Sequence, residues 1–123
     1  PMKNQAYRMA LLYDFYGDML TDRQKEFYDL YYNEDLSLAE IAENYGITRQ
    51  GVRDVIVRAE AILTELEDKT GIIKRFHKMQ DQFQELQSCL DGIKDRNEES
   101  FQDNGLYALC QQMQEVLDML KQE

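Results

Sequence analysis

Three arginines, Arg49, Arg53 and Arg58, lie close together in the middle of the chain. Guanidinium groups pair with guanine edges and with phosphates, and a glutamine amide fits an adenine edge. On a helix in a nucleic-acid groove, Arg49 and Arg53 are predicted to contact guanine or phosphate, Gln50 to contact adenine, and Arg58 to contact phosphate. Asp54 projects a negative charge beside Arg53 and can hold it in an ion pair. The candidate nucleic-acid-binding residues are Thr48, Arg49, Gln50, Arg53, Asp54 and Arg58; the alternative is a solvated helix face.

The residues around these arginines have the pattern of a helix-turn-helix. Ser37 and Glu40 have the spacing of a capping box, in which the hydroxyl and the carboxylate each satisfy a backbone N–H at a helix start. Gly46 stands where the first helix should end in a left-handed residue, and Thr48 can cap the second helix. Hydrophobic residues at helical spacing are expected in the core: Ile41, Ala42, Tyr45, Ile47, Val52, Val55 and Ile56. The second helix is then predicted to expose the candidate binding residues.

Two helices are predicted to precede this motif. The first runs from about Asn4 to Gly17. The second starts at a capping box of Thr21 and Gln24 and ends at Tyr32. The apolar stripe of the first helix consists of Tyr7, Leu11, Leu12, Phe15 and Met19. Since the second helix of the motif continues to about residue 68, we predict one helix-turn-helix domain over residues 3–68.

From residue 72 onward the apolar residues follow a heptad pattern, with alternating steps of four and three. They are Ile72, Phe76, Met79, Phe83, Leu86, Leu90 and Ile93. After a polar connector at 94–100, a last helix has a second stripe at Leu106, Leu109, Cys110, Met113, Val116, Leu117 and Leu120. Such a seam does not remain in water, because each apolar side chain left exposed forgoes about 1.5–3 kcal/mol.

We expect the last helix to fold back on the heptad helix as an antiparallel hairpin, and the remaining apolar surface to form a homodimer. The predicted dimer or partner interface consists of Phe76, Met79, Phe83, Leu86, Leu90 and Leu117. The alternative is a three-helix pack within one chain and no dimer. The predicted fold class is all-α, with the helix-turn-helix domain followed by an acidic helical extension over residues 69–123.

The charge of the chain is acidic overall but uneven. Lysine and arginine number 14 and the acidic residues number 24, which gives a net charge of −10. Residues 37–58 are neutral, with three groups of each sign, whereas residues 59–123 contain seven basic and fourteen acidic groups. Since phosphate contacts supply most of the non-specific affinity for nucleic acid, we expect a single chain to bind duplex DNA weakly and in a salt-sensitive way.

Few residues suit catalysis. His77 is the only histidine, the six glycines form no phosphate-binding loop, and no pair of carboxylates lies in an apolar pattern that would raise a pKa. Cys89 and Cys110 lack CxxC spacing and are expected to be buried, reduced thiols; the alternative is a disulfide bridge or a reactive thiol. We therefore predict no enzyme activity, no cofactor and no metal. No apolar run approaches the roughly 20 residues of a membrane span, so we expect neither a membrane span nor a signal peptide.

Three segments support a resemblance to a known family. They are Leu20-Thr-Asp-Arg-Gln24, Leu36-Ser-Leu-Ala-Glu-Ile-Ala42 and Gly46-Ile-Thr-Arg-Gln50. With the flanking residues 8–35, they resemble the YlxM family of small bacterial proteins, and this resemblance extends from about Asn4 to Leu66. The YlxM family is itself similar to region 4 of sigma factors. The resemblance implies a cytoplasmic protein linked to the signal recognition particle pathway, with the recognition helix of the family at residues 48–58.

Two functional hypotheses follow. In the first, a dimer presents two helix-turn-helix motifs to duplex DNA or to the RNA of the signal recognition particle. In the second, the acidic extension binds a basic protein, such as the GTPase of the particle, and the motif recognises no DNA sequence. The first is favoured, because the capping, turn and core signals agree at the motif.

Overall fold

The computed structural model describes residues 5–122, and this part of the chain contains six α-helices and no strand. The helices are α1 (Ala6–Tyr16), α2 (Asp22–Tyr32), α3 (Leu38–Tyr45), α4 (Arg49–Thr70), α5 (Ile72–Arg96) and α6 (Asn104–Gln122). A 3₁₀ turn, Gly17–Met19, follows α1, and a π-helical segment, Asn97–Phe101, follows α5. The predicted all-α fold is confirmed. Lys3 and Asn4, at which the domain and its first helix are predicted to begin, lie outside the described residues, as does Glu123.

The chain divides into two compact units between Ile73 and Lys74, in the first turn of α5. The sequence-based boundary lies five residues earlier, between residues 68 and 69. Two hydrogen bonds connect the intervening residues to the first unit. The hydroxyls of Thr70 and Tyr16 lie 2.6 Å apart, and the Ile73 N–H donates to Glu67 Oε1 at 2.9 Å.

Local hydrogen bonds define the ends of the motif helices. Ser37 Oγ accepts from the Glu40 N–H and Glu40 Oε1 accepts from the Ser37 N–H, both at 3.1 Å, at the start of α3. Thr21 and Gln24 form the same arrangement at the start of α2. Helix α3 ends at Gly46, whose φ of 66° is left-handed and therefore favours glycine. Both predicted capping boxes and the predicted turn are confirmed.

Helix α4 packs against α1, α2 and α3, and its apolar side belongs to two hydrophobic clusters. The cluster with α1 and α2 consists of Met9, Leu12, Tyr16, Leu20, Tyr28, Ala59, Leu63 and Ile73. The cluster with α2 and α3 consists of Phe27, Tyr31, Ile41, Ala42, Val52 and Ile56. The four α4 members of these clusters have no exposed surface. Their burial fixes which side of α4 remains in solvent.

The apolar stripe predicted for α1 is largely wrong. Tyr7 is 80% exposed and Met19 is 67% exposed, and of the predicted stripe only Leu12 is fully buried. The buried residues of α1 are Met9, Leu12 and Tyr16. Because α1 is apolar on most of its sides, both stripes have helical spacing, and packing against α2 and α4 selects the second.

Helices α5 and α6 form an antiparallel hairpin, which confirms the predicted arrangement of this segment. Its small core consists of Leu90, Cys110 and Leu117, with Phe83 packed against it. Gln87 and Gln114 exchange two hydrogen bonds of 2.7 and 2.8 Å between the helices.

The connection between α5 and α6 begins later than the predicted connector at 94–100. Lys94 remains helical and donates to Gln114 Oε1 at 2.8 Å, so α5 extends to Arg96. Asn97, which is 5% exposed, then holds the connection together. Its side-chain amide donates to the Asp103 carbonyl at 3.0 Å and accepts from the Asp103 N–H at 2.9 Å. This pairing satisfies the buried amide and places the connection at 97–103.

Several tyrosine hydroxyls of the first unit donate to acceptors that are distant in sequence. The pairs are Tyr16–Glu67, Tyr28–Met9 carbonyl, Tyr32–Glu60 and Tyr45–Glu26. Burial raises the pKa of Tyr28 above the ordinary value of 10.0. Burial, together with the hydrogen bond to Glu60, raises the pKa of Tyr32 in the same direction. Both hydroxyls are therefore held neutral in the folded protein.

The raised pKa values of Tyr28 and Tyr32 predict that the first unit unfolds in alkali. Their contribution to stability is complete below pH 10.0 and is lost as the pH rises above it, because the unfolded chain ionises first. Phenolate absorbance from these two residues should appear only together with loss of helical circular dichroism. Replacing the exposed Tyr7 by Phe should leave the midpoint of alkaline unfolding unchanged. Ionisation of all eight tyrosines with an intact helical signal would contradict this prediction.

Candidate nucleic-acid interface

The first turn of α4 is organised by Thr48 and is open to solvent. Thr48 has an extended backbone, and its Oγ1 accepts from the Gly51 N–H at 2.9 Å. Other N–H groups in a first helical turn have no intrahelical partner, and together with the helix dipole they favour an anion at this position. This end of α4 can therefore bind a phosphate.

All six predicted binding residues are exposed to solvent. Thr48 precedes α4 as its N-cap residue. The other five lie on the exposed side of α4, which we call the outer face: Arg49, Gln50, Arg53, Asp54 and Arg58. At about 100° per residue, Arg49 and Arg53 lie along one edge of the outer face, and Arg58 lies along the opposite edge. Gln50 and Asp54 lie between the edges. Cations at both edges and hydrogen-bonding groups in the middle suit a helix that lies between two phosphate backbones.

Within residues 5–122, no hydrogen bond or ion pair involves the guanidinium groups of Arg49, Arg53 or Arg58. The expected pair of Arg53 with Asp54 is wrong, because Asp54 Oδ1 accepts from Gln50 Nε2 at 2.8 Å. Residues four apart on a helix are neighbours on its surface, whereas adjacent residues point in different directions. The arginines are therefore available to a ligand, whereas one N–H of the Gln50 amide is engaged by Asp54.

Gly51 lies directly against the capping hydroxyl of Thr48. A Cβ atom at Gly51 would be 3.2 Å from Thr48 Oγ1, which is closer than an ordinary van der Waals contact. Glycine near the start of a helix costs about 1 kcal/mol of helix propensity relative to alanine. Because glycine has no Cβ atom, it leaves room for the Thr48 hydroxyl, and the capping hydrogen bond offsets part of this cost.

Arg23 adjoins the outer face and was not among the predicted residues. A groove of about 280 Å³ between the start of α2 and the middle of α4 is lined by Thr21, Arg23, Gln24, Asp54, Val55 and Arg58. The groove brings Arg23 and Arg58 together from different helices. The Arg23 guanidinium lies 5.3 Å from the ring centroid of Phe27, and this cation–π contact orients it. No local sequence signal marks this pairing, since it depends on the packing of α2 against α4.

The hairpin divides the residues predicted for a dimer or partner interface. Leu90 and Leu117 are 3% and 6% exposed in the hairpin core, so they have little surface left for another chain. Heptad spacing does not distinguish Leu90 from the other seam residues of α5, because the seam faces both α6 and solvent. The other four residues, Phe76, Met79, Phe83 and Leu86, are partly or largely exposed.

The described residues offer little for metal binding or for passage through a membrane. No group of three or more His, Cys, Asp or Glu side chains in residues 5–122 could hold a metal ion. Cys110 is buried as expected, whereas Cys89 is exposed, and both thiols are free. Among the helices of this part of the chain, none combines the length and the apolar character that crossing a membrane requires.

Comparison with known proteins identifies the family. The family described as "Putative helix-turn-helix protein, YlxM / p13 like" matches residues 3–103. The chain belongs to this YlxM/p13-like family. The family match includes the outer face of α4 and all of α5, and it confirms the resemblance to the YlxM family that the sequence indicated.

Other members of the YlxM/p13-like family are similar over most of the chain. A UPF0122 protein of Desulforamulus reducens is 48% identical over 90 residues, which cover 73% of this chain and 77% of that protein. The UPF0122 protein YlxM of Bacillus subtilis is 43% identical over 91 residues, covering 74% and 83%. A UPF0122 protein of Acetivibrio thermocellus is 46% identical over 92 residues, covering 75% and 74%.

Loss of the Thr48 hydroxyl should destabilise the first unit. In Thr48→Ala the Gly51 N–H loses its acceptor, so we expect the free energy of unfolding to fall by about 1 kcal/mol. Thr48→Ser keeps the acceptor and should remain within about 0.5 kcal/mol of the wild type. Urea unfolding followed by circular dichroism measures both changes. Equal stabilities of the alanine variant and the wild type would show that the hydroxyl does not stabilise α4.

Proposed function

We propose that this protein is a regulatory nucleic-acid-binding protein that binds its ligand through the outer face of α4. The main support is the position, on two edges of an exposed helix side, of three guanidinium groups that have no partner in the described part of the chain. Unpaired arginines can bind phosphates without first breaking an internal ion pair. Membership of a helix-turn-helix family supports the same function.

The residues of the outer face have different roles in this proposal. Arg49 and Arg53 bind guanine edges or phosphates on one strand, and Arg58 binds a phosphate of the opposite strand. Between them, Gln50 contacts adenine and Asp54 accepts from the amino group of cytosine. The Gln50–Asp54 hydrogen bond of 2.8 Å holds both side chains in place until a base displaces it.

Two neighbouring features extend the contact with phosphates. The turn at Thr48 offers backbone N–H groups and the positive end of the helix dipole. The groove shared by Arg23 and Arg58 offers two guanidinium groups to one phosphate backbone. With both features, phosphate binding is spread over α2 and α4.

The charge distribution makes one outer face a weak binder. Residues 37–58 are neutral and the whole chain has a net charge of −10, so the arginines act against a repulsive background. We propose that the protein is a homodimer, because two outer faces that engage one nucleic acid bind more tightly than either face alone.

Duplex DNA and the RNA of the signal recognition particle are the proposed ligands. The major groove of B-DNA admits an α-helix, whereas the major groove of A-form RNA is too deep and narrow for side chains to read. Geometry therefore favours DNA for base contacts. The link of the YlxM family to the signal recognition particle favours its RNA, which the arginines would then bind through phosphates or unpaired bases.

Removing two arginines from the outer face should abolish most of the binding. The protein is titrated into labelled particle RNA and into random duplex DNA at about 50 and 200 mM salt. We expect wild-type affinity to fall at least about tenfold between these salt concentrations, as expected when several phosphates are contacted. The variant Arg49→Ala/Arg53→Ala should lose a further factor of about 10–100 at the lower salt concentration.

The variant Arg75→Ala/Lys78→Ala is the matched control, because it removes the same charge from exposed positions of the second unit. It should bind within about threefold of the wild type. Equal losses in the two variants would mean that net charge, and not the outer face, determines binding. A folded wild-type protein that binds neither nucleic acid would refute the proposal.

A second candidate function is that of a protein-binding accessory factor of the signal recognition particle, with the GTPase of the particle as partner. The observation that favours it is the charge of residues 74–123, which include six basic and ten acidic side chains. An acidic surface of this kind attracts a basic protein and accelerates the encounter at low salt.

Charge reversal in the second unit separates the two functions. Asp81, Glu85, Asp91 and Asp95 are all exposed, so their replacement by Lys should be compatible with folding. We expect this variant to keep or increase its affinity for nucleic acid, since the outer face is unchanged. Under the second function it should lose binding to the purified GTPase in a pull-down, while the Arg49→Ala/Arg53→Ala variant retains it.

A further inference from the structure

The α5–α6 hairpin has an apolar groove on its surface. Leu86, Ile93, Leu109, Met113, Val116 and Leu120 line the groove and are 39–57% exposed. Its volume is about 610 Å³, and no charged side chain is among the residues that line it. Apolar surface that is concentrated in this way marks an interaction site on an otherwise charged helical hairpin.

The hairpin buries too little to account for its own stability. Only Leu90, Cys110 and Leu117 are buried hydrophobic residues between α5 and α6. A pair of helices forms a stable core when a further layer covers its apolar side, as in a four-helix bundle. The side of the hairpin that bears the groove is therefore the side that a further layer of helices would cover.

We propose that a second copy of this chain docks in the groove, hairpin against hairpin, and forms an antiparallel four-helix bundle. Both helices supply exposed apolar side chains to the groove. Leu86 and Ile93 come from α5, and Leu109, Met113, Val116 and Leu120 come from α6. The apolar side is thus two helices wide, which is the width of another hairpin. A symmetric dimer pairs this side with itself, so each chain covers what the other exposes.

The exposed apolar surface is close to the smallest area that a specific dimer buries. At exposures of 39–57%, the six side chains offer on the order of 500 Å² per chain. A symmetric pair buries about 1,000 Å² from them alone, which reaches the lower limit for specific interfaces. Cys89 also lines the groove and adds to this area.

Charge predicts the salt dependence of the dimer. Residues 74–123 have a net charge of −4, so two hairpins repel each other weakly, and salt screens this repulsion. The dimer should therefore be as stable or more stable at high salt, whereas nucleic-acid binding weakens. This dimer is the homodimer of the proposed function, and because its formation requires no nucleic acid, it can fail or succeed separately from nucleic-acid binding by the outer face.

The interface proposed from the structure overlaps the predicted interface only in part. Of the six residues of the predicted interface, Leu86, Leu90 and Leu117 line the groove, and of these three Leu86 alone is exposed. Four of the exposed groove residues, Leu109, Met113, Val116 and Leu120, lie on α6, where the heptad seam of α5 does not reach.

The oligomeric state of the full chain tests the proposal directly. Sedimentation velocity is measured from about 1 to 100 µM protein at about 150 mM salt. We expect a species of twice the chain mass whose population increases with concentration. A monomer at every concentration would overturn the proposal and leave the groove to a different occupant.

Two methionines on the same helix supply a matched pair of variants. Met113 lines the groove, whereas Met119 is 67% exposed and lies outside it. Met113→Glu should raise the dissociation constant of the dimer at least about 100-fold, because two-fold symmetry places two carboxylates in the interface. Met119→Glu should change it by less than about threefold. Equal effects of the two substitutions, with helical circular dichroism retained in both, would contradict the proposal.

The thiol of Cys89 provides a second readout on the wild-type protein, which stays valid if Met113→Glu fails to fold. Cys89 is exposed in a single chain and lines the groove, so the dimer should cover it. We expect its reaction with a thiol reagent to slow as the protein concentration increases. Cys110, which is 1% exposed, is the internal control for a thiol protected at every concentration. A Cys89 rate that is independent of concentration would also overturn the proposal.

Discussion

Burial of one side of α4 determines what the first unit presents to solvent. Val52, Ile56, Ala59 and Leu63 are completely buried among α1, α2 and α3. Rotation of α4 about its axis would expose them, at a cost of about 1.5–3 kcal/mol for each of the larger side chains. The opposite side of the helix therefore keeps a fixed direction. The core behind the arginines positions them, since within residues 5–122 their guanidinium groups make no hydrogen bond.

The limits of the motif helices could be predicted, because short-range interactions determine them. Ser37 and Glu40 are three residues apart, and Gly46 needs only its own backbone angle. The buried side of α1 could not be predicted in the same way. Two stripes of that helix have helical spacing, and only packing against other helices selects the one with Met9.

The types of residue in the candidate site were predictable, but their partners were not. Asp54 accepts from Gln50 and not from Arg53, because the geometry of the helix surface outweighs closeness in sequence. Arg23 reaches the same groove as Arg58 only after α2 has packed against α4. Membership of the YlxM/p13-like family agrees with the helix-turn-helix motif, but it does not specify which side chains pair with each other.

The hydrogen bonds of Glu67 affect how this protein can be divided into fragments. Glu67 Oε1 accepts from the Tyr16 hydroxyl at 2.6 Å and from the Ile73 N–H at 2.9 Å, and Thr70 completes the group through Tyr16. A fragment that ends at residue 68 lacks Thr70 and Ile73, and it leaves the Glu67 carboxylate and the Tyr16 hydroxyl at a frayed helix end. The shortest self-sufficient piece therefore extends past Gly71 into the first turn of α5, and a cut at the glycine removes contacts that belong to the helix-turn-helix unit.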